Sequence, residues 1–225
     1  MMLKMNSDAS AGTETDTTAV TLYDYWRSTA SYRVRIALAL AGINWRTISV
    51  DLVRGDQQQA EHIGRNPQGL VPVLDIDGHR FTQSLAIIEY LDTTRELGLL
   101  PAQPVARAHV QALAASLAID VHPICNLSVV SHATGGKEPA RTQWMQQFIT
   151  PGLNAFEKLL AGFEQNPYCT GNSLSLADLC LVPQLYNADR WGVDYANCRR
   201  IVAIAEACTE HTAFVQAHPD AARVD

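Results

Sequence analysis

The apolar positions in the first part of the chain predict alternating strands and helices. Alternating or continuous apolar runs predict four short strands, at residues 20–25, 45–52, 71–76 and 80–82. Apolar residues at i, i+3, i+4 and i+7 predict a helix after the first strand that ends at Gly42, and a second helix that begins at Ser84. With a further helix in the polar segment between them, the order βαβ-α-ββα predicts a small mixed α/β domain.

Beyond residue 104 the apolar spacing is helical throughout, which predicts an all-helical domain. The predicted helices cover residues 105–131, with Pro123 as an interruption, then 141–163, 176–191 and 199–211. We therefore divide the chain into a tail at 1–19, a mixed domain at 20–97, a linker at 98–104 and a helical domain at 105–225.

Composition and charge exclude several classes of protein. The chain has 225 residues, of which 47% are hydrophobic and 18% charged, with a net charge of −6 and no clustered basic stretch. This balance argues against a nucleic-acid partner. No apolar stretch approaches the ~20 residues of a membrane span. Residues 1–19 lack the apolar core of a signal peptide, so we expect a flexible tail, no membrane partner and a cytoplasmic location.

The cysteines give no evidence of a metal or redox site. They are odd in number and widely spaced, which predicts free, mostly buried thiols and no metal ligation: Cys125, Cys169, Cys180, Cys198 and Cys208. A disulfide-exchange enzyme would need a thiolate at the start of its first helix, and no cysteine lies there.

The first candidate for chemistry is the turn from Ser28 to Ser31, which opens the first helix after the first strand. Ligands gather where strands end and helices begin, because free N–H groups and a partial positive charge meet there. A hydroxyl in this turn can donate a hydrogen bond to a bound thiolate. Lowering a thiol pKa by two units requires about 2.7 kcal/mol, within reach of one charge-assisted hydrogen bond and a helix terminus. Ser28 and Ser31 fit the simpler role of helix caps equally well.

Two further features border the same predicted sheet. Pro72 enters a strand, so it belongs at an edge or in a special turn, and a cis bond would leave the Val71 backbone free to pair with a peptide ligand. Gln83 and Ser84 begin a helix, where a carboxylate ligand or a plain serine cap would fit. Together with the Ser28 turn, these features suggest a pocket for a peptide with acidic ends.

Several other polar residues admit two interpretations. Arg33 and Arg35 lie early in the first helix, where they either pair with carboxylates or raise the positive potential near an anionic substrate. His122 at the interruption before Pro123 is more simply structural than catalytic. Ser175 and Asp178 have the spacing of a capping box, which we interpret as part of folding.

Taken together, these residues resemble the zeta class of glutathione transferases, the maleylacetoacetate and maleylpyruvate isomerases. The resemblance covers residues 21–220, and its most specific part is RSTASYRVRIAL at 27–38, which is similar to the family signature S-S-C-x-W-R-V-R-I-A-L. Further matching stretches are NPQGLVP at 66–72, QS at 83–84, HPICN at 122–126 and LAD at 176–178. The sequence departs from the signature at Ala30, where the family has cysteine, and at Tyr32, where it has tryptophan.

The resemblance implies a thioredoxin-like first domain, an all-helical second domain, a homodimer and glutathione as the cofactor. It implies that Ser28 activates the glutathione thiol, and that Arg27 and Arg190 hold the carboxylates of a dianionic substrate. The residues that it assigns to glutathione binding, besides Ser28, are Thr29, Gln57, Val71, a cis Pro72, Gln83, Ser84, His122, Asn126 and Ser128.

Three functions follow as hypotheses. The leading one is cis–trans isomerisation of a maleyl diketo acid, maleylpyruvate or maleylacetoacetate, in aromatic catabolism, through reversible addition of the glutathione thiolate. The second is transfer of glutathione to α-halo acids or peroxides, which consumes the thiol. The third is a non-catalytic binding protein of the same fold, in which loss of Ser28 would leave the biological activity intact.

Overall fold

A computed structural model describes residues 20–223, so the predicted tail at 1–19 lies outside the described residues. The four predicted strands form one mixed sheet in the order β2-β1-β3-β4. Three strands are shorter than their predicted runs: β1 Thr21–Asp24, β2 Arg46–Ser49 and β3 Val73–Ile76. β4, His79–Thr82, begins one residue before its predicted run. β1 runs parallel to β2 and antiparallel to β3, and β4 pairs antiparallel with β3. The predicted hairpin turn at Asp77 and Gly78 joins β3 to β4, with both residues at positive φ.

The helices of this mixed part are α1 (Thr29–Leu40), α2 (Ala60–Arg65) and α3 (Ser84–Arg95). α1 is buried almost throughout, including its two arginines, because it packs against α3 on one side and helices of the second part on the other. It ends where Gly42 takes a φ of +65°, a left-handed conformation that costs glycine little. The predicted order βαβ-α-ββα is therefore confirmed.

The second part contains seven α-helices among the described residues. They are α4 (Pro104–Ala118), α5 (Leu127–Thr134), α6 (Ala140–Leu159), α7 (Leu176–Arg190), α8 (Arg199–Glu210), α9 (Thr212–Ala217) and α10 (Pro219–Ala222). The helix predicted at 105–131 is interrupted around Pro123, as expected, and the interruption separates two helices. α4 ends at Ala118 and α5 begins at Leu127, with a 3₁₀ turn at Pro123–Cys125 between them, where proline cannot donate an interior helical hydrogen bond.

The α4–α5 break also bears on membrane crossing. Among the described residues no single helix is long and apolar enough to cross a membrane. One pair, Pro104–Cys125 with Leu127–Thr134, meets the criteria of length and composition only when taken together, with a 48° bend between its halves.

α7 lies at the centre of the helical part and is buried over most of its length. It packs against α1 and α4, and its first residue donates a backbone hydrogen bond of 2.9 Å from Leu176 to the Leu99 carbonyl of the predicted linker. The predicted capping box at its start is present. The Ser175 side chain accepts from the Asp178 backbone N–H, and the Asp178 carboxylate accepts from the Ser175 backbone N–H at 2.8 Å. One apolar core runs through both parts of the chain, and the division into domains at 98–104 stays a prediction.

A buried ion pair joins the sheet to α1. Arg35 Nη1 lies 2.6 Å from Asp24 Oδ2, and each side chain is only 1% exposed. Arg35 also donates to the Trp26 carbonyl at 3.1 Å and to the Ala217 carbonyl at 2.9 Å. The guanidinium therefore contacts the end of β1, the following turn and the end of α9. Of the two roles considered for Arg35, pairing with a carboxylate is the one that the structure shows.

We expect Arg35→Met to lower the free energy of unfolding by about 3–5 kcal/mol, because it leaves the Asp24 carboxylate buried without its cation. Urea unfolding measures the change. Arg80→Met is the matched control, since Arg80 pairs with Asp75 at the surface and such pairs contribute below about 1 kcal/mol. Equal losses for the two variants would contradict the central role of the buried pair.

Candidate functional site

A cavity of about 490 Å³ opens between the starts of α1 and α3, the start of β3 and the α4–α5 connection. Nine of the twelve predicted site residues line it. They are Ser28, Gln57, Val71, Pro72, Gln83, Ser84, His122, Asn126 and Ser128. Arg27, Thr29 and Arg190 do not. The cavity thus draws its walls from both parts of the chain.

Ser28 is both a helix cap and a cavity residue. Its Oγ accepts a hydrogen bond of 3.2 Å from the Ser31 backbone N–H, so it caps α1. A serine hydroxyl that accepts one bond still has its own proton to donate. Since Ser28 also lines the cavity, that proton is available to a ligand at the positive end of α1.

Thr29 is not part of the cavity wall, but it contacts His122, which is. Its Oγ1 lies 2.7 Å from Nδ1 of His122, and the residue is buried. Burial, and then the Arg33 guanidinium, lower the pKa of His122 to about 3, so the imidazole is neutral near pH 7. The Thr29–His122 bond is therefore uncharged, and it links α1 to the turn that follows α4.

The backbone at Val71 has unused hydrogen-bonding capacity. The Val71–Pro72 peptide bond is cis, as the resemblance implies. Within residues 20–223, neither the N–H nor the C=O of Val71 has a hydrogen-bond partner. The loop before it is held by Asn66, whose side-chain amide donates to the Leu70 carbonyl at 2.9 Å. Gln57, which also lines the cavity, has a buried Oε1 without a partner among the described residues.

The start of α3 forms the floor of the cavity. Gln83 has a φ of +66° and a ψ of 109°, a strained conformation that costs a non-glycine residue about 1–3 kcal/mol and belongs to a type that clusters at functional sites. Its side-chain amide donates to Gln68 Oε1 at 2.9 Å. Ser84 follows as the first residue of α3 and accepts a hydrogen bond of 2.9 Å from Arg33 Nη1.

The two predicted carboxylate-binding arginines lie beside the cavity rather than in its wall. The Arg27 guanidinium stacks 4.2 Å from the Trp26 ring centre, and the Arg190 guanidinium lies 5.7 Å from that of Tyr186. Partial desolvation lowers the pKa of Arg190, and the Arg27 charge contributes further, so the two cations share one neighbourhood. Within the described chain neither forms an ion pair or a hydrogen bond.

Sequence reasoning missed some of the cavity's residues. Arg33 lines the wall, although its position in α1 alone left its role open. Leu52, Ala118 and Ile119 add apolar surface, and no local pattern distinguishes them from other core residues. Asn66 and Gln68 belong to the NPQGLVP stretch at 66–72. The match of that stretch to the family was the sequence feature that could have indicated that they line the cavity.

The donors and acceptors fit a peptide-like ligand that carries a thiol and carboxylates. An extended backbone can pair with the free N–H and C=O of Val71, a thiolate suits the hydroxyl at the start of α1, and a carboxylate suits the start of α3. Among the described residues, no group of His, Cys, Asp or Glu side chains is arranged to hold a metal ion.

Comparison with known proteins gives the same picture. Residues 18–93 match the family model of the glutathione S-transferase N-terminal domain. The chain is 56% identical over 206 residues to the maleylacetoacetate isomerase of Rhizobium meliloti (strain 1021), covering 90% of this chain and 97% of that protein.

Two solved structures extend the likeness to the fold. One is a holo structure of maleylpyruvate isomerase, described as a bacterial zeta-class glutathione S-transferase, with 38% identity, a TM-score of 0.85, and 89% and 97% of the two chains covered. The other is maleylacetoacetate isomerase from Anaeromyxobacter dehalogenans 2CP-1 with glutathione in its active site, with 38% identity, a TM-score of 0.81, and coverage of 90% and 96%. The thioredoxin-like first domain and helical second domain are thereby confirmed.

We expect His122 to make the protein less stable in acid. The unfolded chain takes up this proton near pH 6.5 and the folded chain only near pH 3, so the stabilisation is complete above 6.5 and is lost as the pH falls toward 3. Between pH 7 and 5 the loss attributable to His122 is about 2 kcal/mol. Urea unfolding of the wild type and of His122→Asn, which keeps a polar atom near Thr29, measures it. An identical pH dependence in both would refute the prediction.

Proposed function

This chain belongs to the zeta-class glutathione S-transferase family, and on that premise we propose that it is a glutathione-dependent cis–trans isomerase of a maleyl diketo acid. The substrate is maleylpyruvate or maleylacetoacetate and the product is its fumaryl isomer. The observation that carries the proposal is that Ser28, Val71 and Ser84 border a single cavity, each with a polar group suited to a different part of glutathione.

Glutathione would be held along the mixed part of the chain. The Val71 backbone N–H and C=O pair with its peptide groups, and Gln57, Gln83 and Ser84 receive its polar ends. From the helical part, His122, Asn126 and Ser128 line the opposite wall, with Thr29 keeping His122 in place through their 2.7 Å bond. When bound, glutathione supplies a nucleophilic thiolate whose reversible addition to the substrate's double bond allows rotation from cis to trans.

The protein's part in this chemistry is electrostatic. The Ser28 hydroxyl donates a hydrogen bond to the sulfur, and the positive end of α1 favours the anion, so both lower the thiol pKa. Ala30 replaces the family's signature cysteine and lies next to this hydroxyl without a competing nucleophile of its own. The step requires no net consumption of glutathione, because the thiolate that adds is the one that leaves.

Arg27 and Arg190 bind the carboxylates of the dianionic substrate and stabilise negative charge that develops during the reaction. Two features support this role. Neither guanidinium has a carboxylate partner within the described chain, and the Arg27 charge is among the causes that lower the pKa of Arg190. A dianion placed near both would relieve that repulsion.

The proposal extends to assembly and location. We propose a homodimer, supported by the exposed apolar side chains of Val105, Ile119 and Val129 on and beside α4 and α5. A cytoplasmic location and a role in aromatic catabolism complete it, and five unpaired cysteines suit a reducing compartment.

We expect Ser28→Ala to lower kcat/KM by roughly 10- to 100-fold, because the hydroxyl supplies a large share of the two-unit change in thiol pKa and the helix terminus, which the variant keeps, supplies the rest. Turnover of maleylpyruvate and maleylacetoacetate is followed by ultraviolet absorbance with glutathione in catalytic amounts. Free thiol, titrated during turnover, stays constant for an isomerase and falls for a conjugating transferase.

Ser116→Ala is the matched control, since Ser116 bonds only the Leu113 carbonyl on α4 and lies outside the cavity wall. Its activity should equal that of the wild type. Turnover that is independent of glutathione, or absent with both substrates, would refute the proposed function. Full activity in Ser28→Ala would refute the proposed role of the hydroxyl.

We expect Arg190→Met to raise KM for the dianionic substrate by roughly 10-fold or more, because a charge-assisted bond to one carboxylate is lost. The dissociation constant for glutathione should change little. Steady-state kinetics and calorimetry on the same preparation separate the two effects. A parallel loss of glutathione affinity would show that Arg190 acts on the fold or the cofactor instead.

A further inference from the structure

Arg33 is a buried cation in the wall of the cavity. The residue is 3% exposed, yet it borders the cavity near the start of α3. Its Nη1 donates to Ser84 Oγ at 2.9 Å, and its Nε is buried without any partner. A guanidinium has five N–H donors. Most of the donors of Arg33 are therefore not used in hydrogen bonds to the described residues.

No carboxylate in the described chain pairs with Arg33. Arg35, two residues later, has Asp24 at 2.6 Å, whereas the ion pairs among residues 20–223 do not include Arg33. The titratable groups that face it are the Cys180 thiol on α7 and the His122 imidazole after α4. Burial raises the pKa of Cys180 to about 11, and His122 is neutral as described, so neither carries a compensating charge near pH 7.

A buried charge without a counter-charge is unfavourable, so such a group is expected to meet an anion in the working state of the protein. The cavity is the side from which that anion can come. Ser84 lines the cavity beside Arg33, and its Oγ already accepts the Arg33 bond, which leaves the hydroxyl proton to donate into the cavity. The geometry therefore describes a relay from guanidinium to hydroxyl to a ligand carboxylate.

We propose that Arg33 is a positioning residue that orients and polarises Ser84 toward a carboxylate of glutathione and compensates the charge of that carboxylate. This inference rests on the proposed function, since it takes glutathione as the ligand. Glutathione has two carboxylates, on its γ-glutamyl and glycyl residues, and the relay acts on one of them.

The test compares three ligands: glutathione, an analogue with the γ-glutamyl carboxylate converted to an amide, and one with the glycyl carboxylate converted to an amide. Calorimetry gives their dissociation constants with wild type, Arg33→Gln, Arg33→Lys and Ser84→Ala. We expect Arg33→Gln to weaken glutathione binding roughly 10- to 100-fold, the range for a hydrogen bond to a charged group. It should not weaken the one analogue that lacks the relevant carboxylate.

Arg33→Lys keeps the charge and should retain most of the preference for that carboxylate. Ser84→Ala should lose the preference, and the double variant Arg33→Gln/Ser84→Ala should be little weaker than Arg33→Gln alone, because the two residues act in series. Arg80→Gln, a surface cation in the same sheet, is the matched control and should bind all three ligands as the wild type does.

A merely structural role for Arg33 would weaken all three ligands by the same factor, and that result overturns the inference. Unchanged binding in Arg33→Gln overturns it too. Should Arg33→Gln fail to fold, Ser84→Ala and Arg33→Lys decide. The relay is refuted if Ser84→Ala still prefers glutathione over the analogue that lacks the relevant carboxylate, or if Arg33→Lys no longer does. A wild type that does not bind glutathione refutes the proposed function itself.

Discussion

The buried contact between Arg35 and Asp24 is the constraint on which the site depends. The guanidinium holds the end of β1 through Asp24, the next turn through the Trp26 carbonyl and the end of α9 through the Ala217 carbonyl. Ser28 follows within a few residues of two of these anchors. The position of its hydroxyl at the start of α1 is therefore set by contacts that span nearly the whole described chain.

The two arginines of α1 show how one helix serves stability and binding with the same residue type. Arg35 is compensated by a carboxylate within the chain, which makes it a structural group. Arg33 is buried too, but within residues 20–223 its guanidinium donates only to the Ser84 hydroxyl, and in the proposed relay a ligand carboxylate supplies its counter-charge. An uncompensated buried cation lowers the free energy of unfolding, and the same charge favours the binding of an anion in the adjacent cavity.

The sequence predicted the elements with strong periodicity and the residues with a local motif. The four strands, α1, α3 and α7 follow from apolar spacing, and the resemblance grouped nine residues that line one cavity. What it could not decide depends on distant partners. Whether Arg33 or Arg35 meets a carboxylate is settled by tertiary contacts, and nothing in the residue type of Gln83 signals its φ of +66°. The interruption predicted at Pro123 is present, but its length was not predicted, since α4 already ends at Ala118 and α5 begins only at Leu127.

The thiols show why the chemistry depends on the cofactor. None of the five cysteines lies in the Ser28 turn, and four of them are buried. Burial raises the pKa of Cys125 to about 12 and of Cys180 to about 11, and it raises those of Cys169, Cys198 and Cys208 as well. Near pH 7 all five are protonated and weakly nucleophilic. With Ala30 where the family has cysteine, the proposed function makes glutathione the source of the reactive sulfur at the Ser28 hydroxyl, and the role proposed for the protein is to hold that sulfur as an anion.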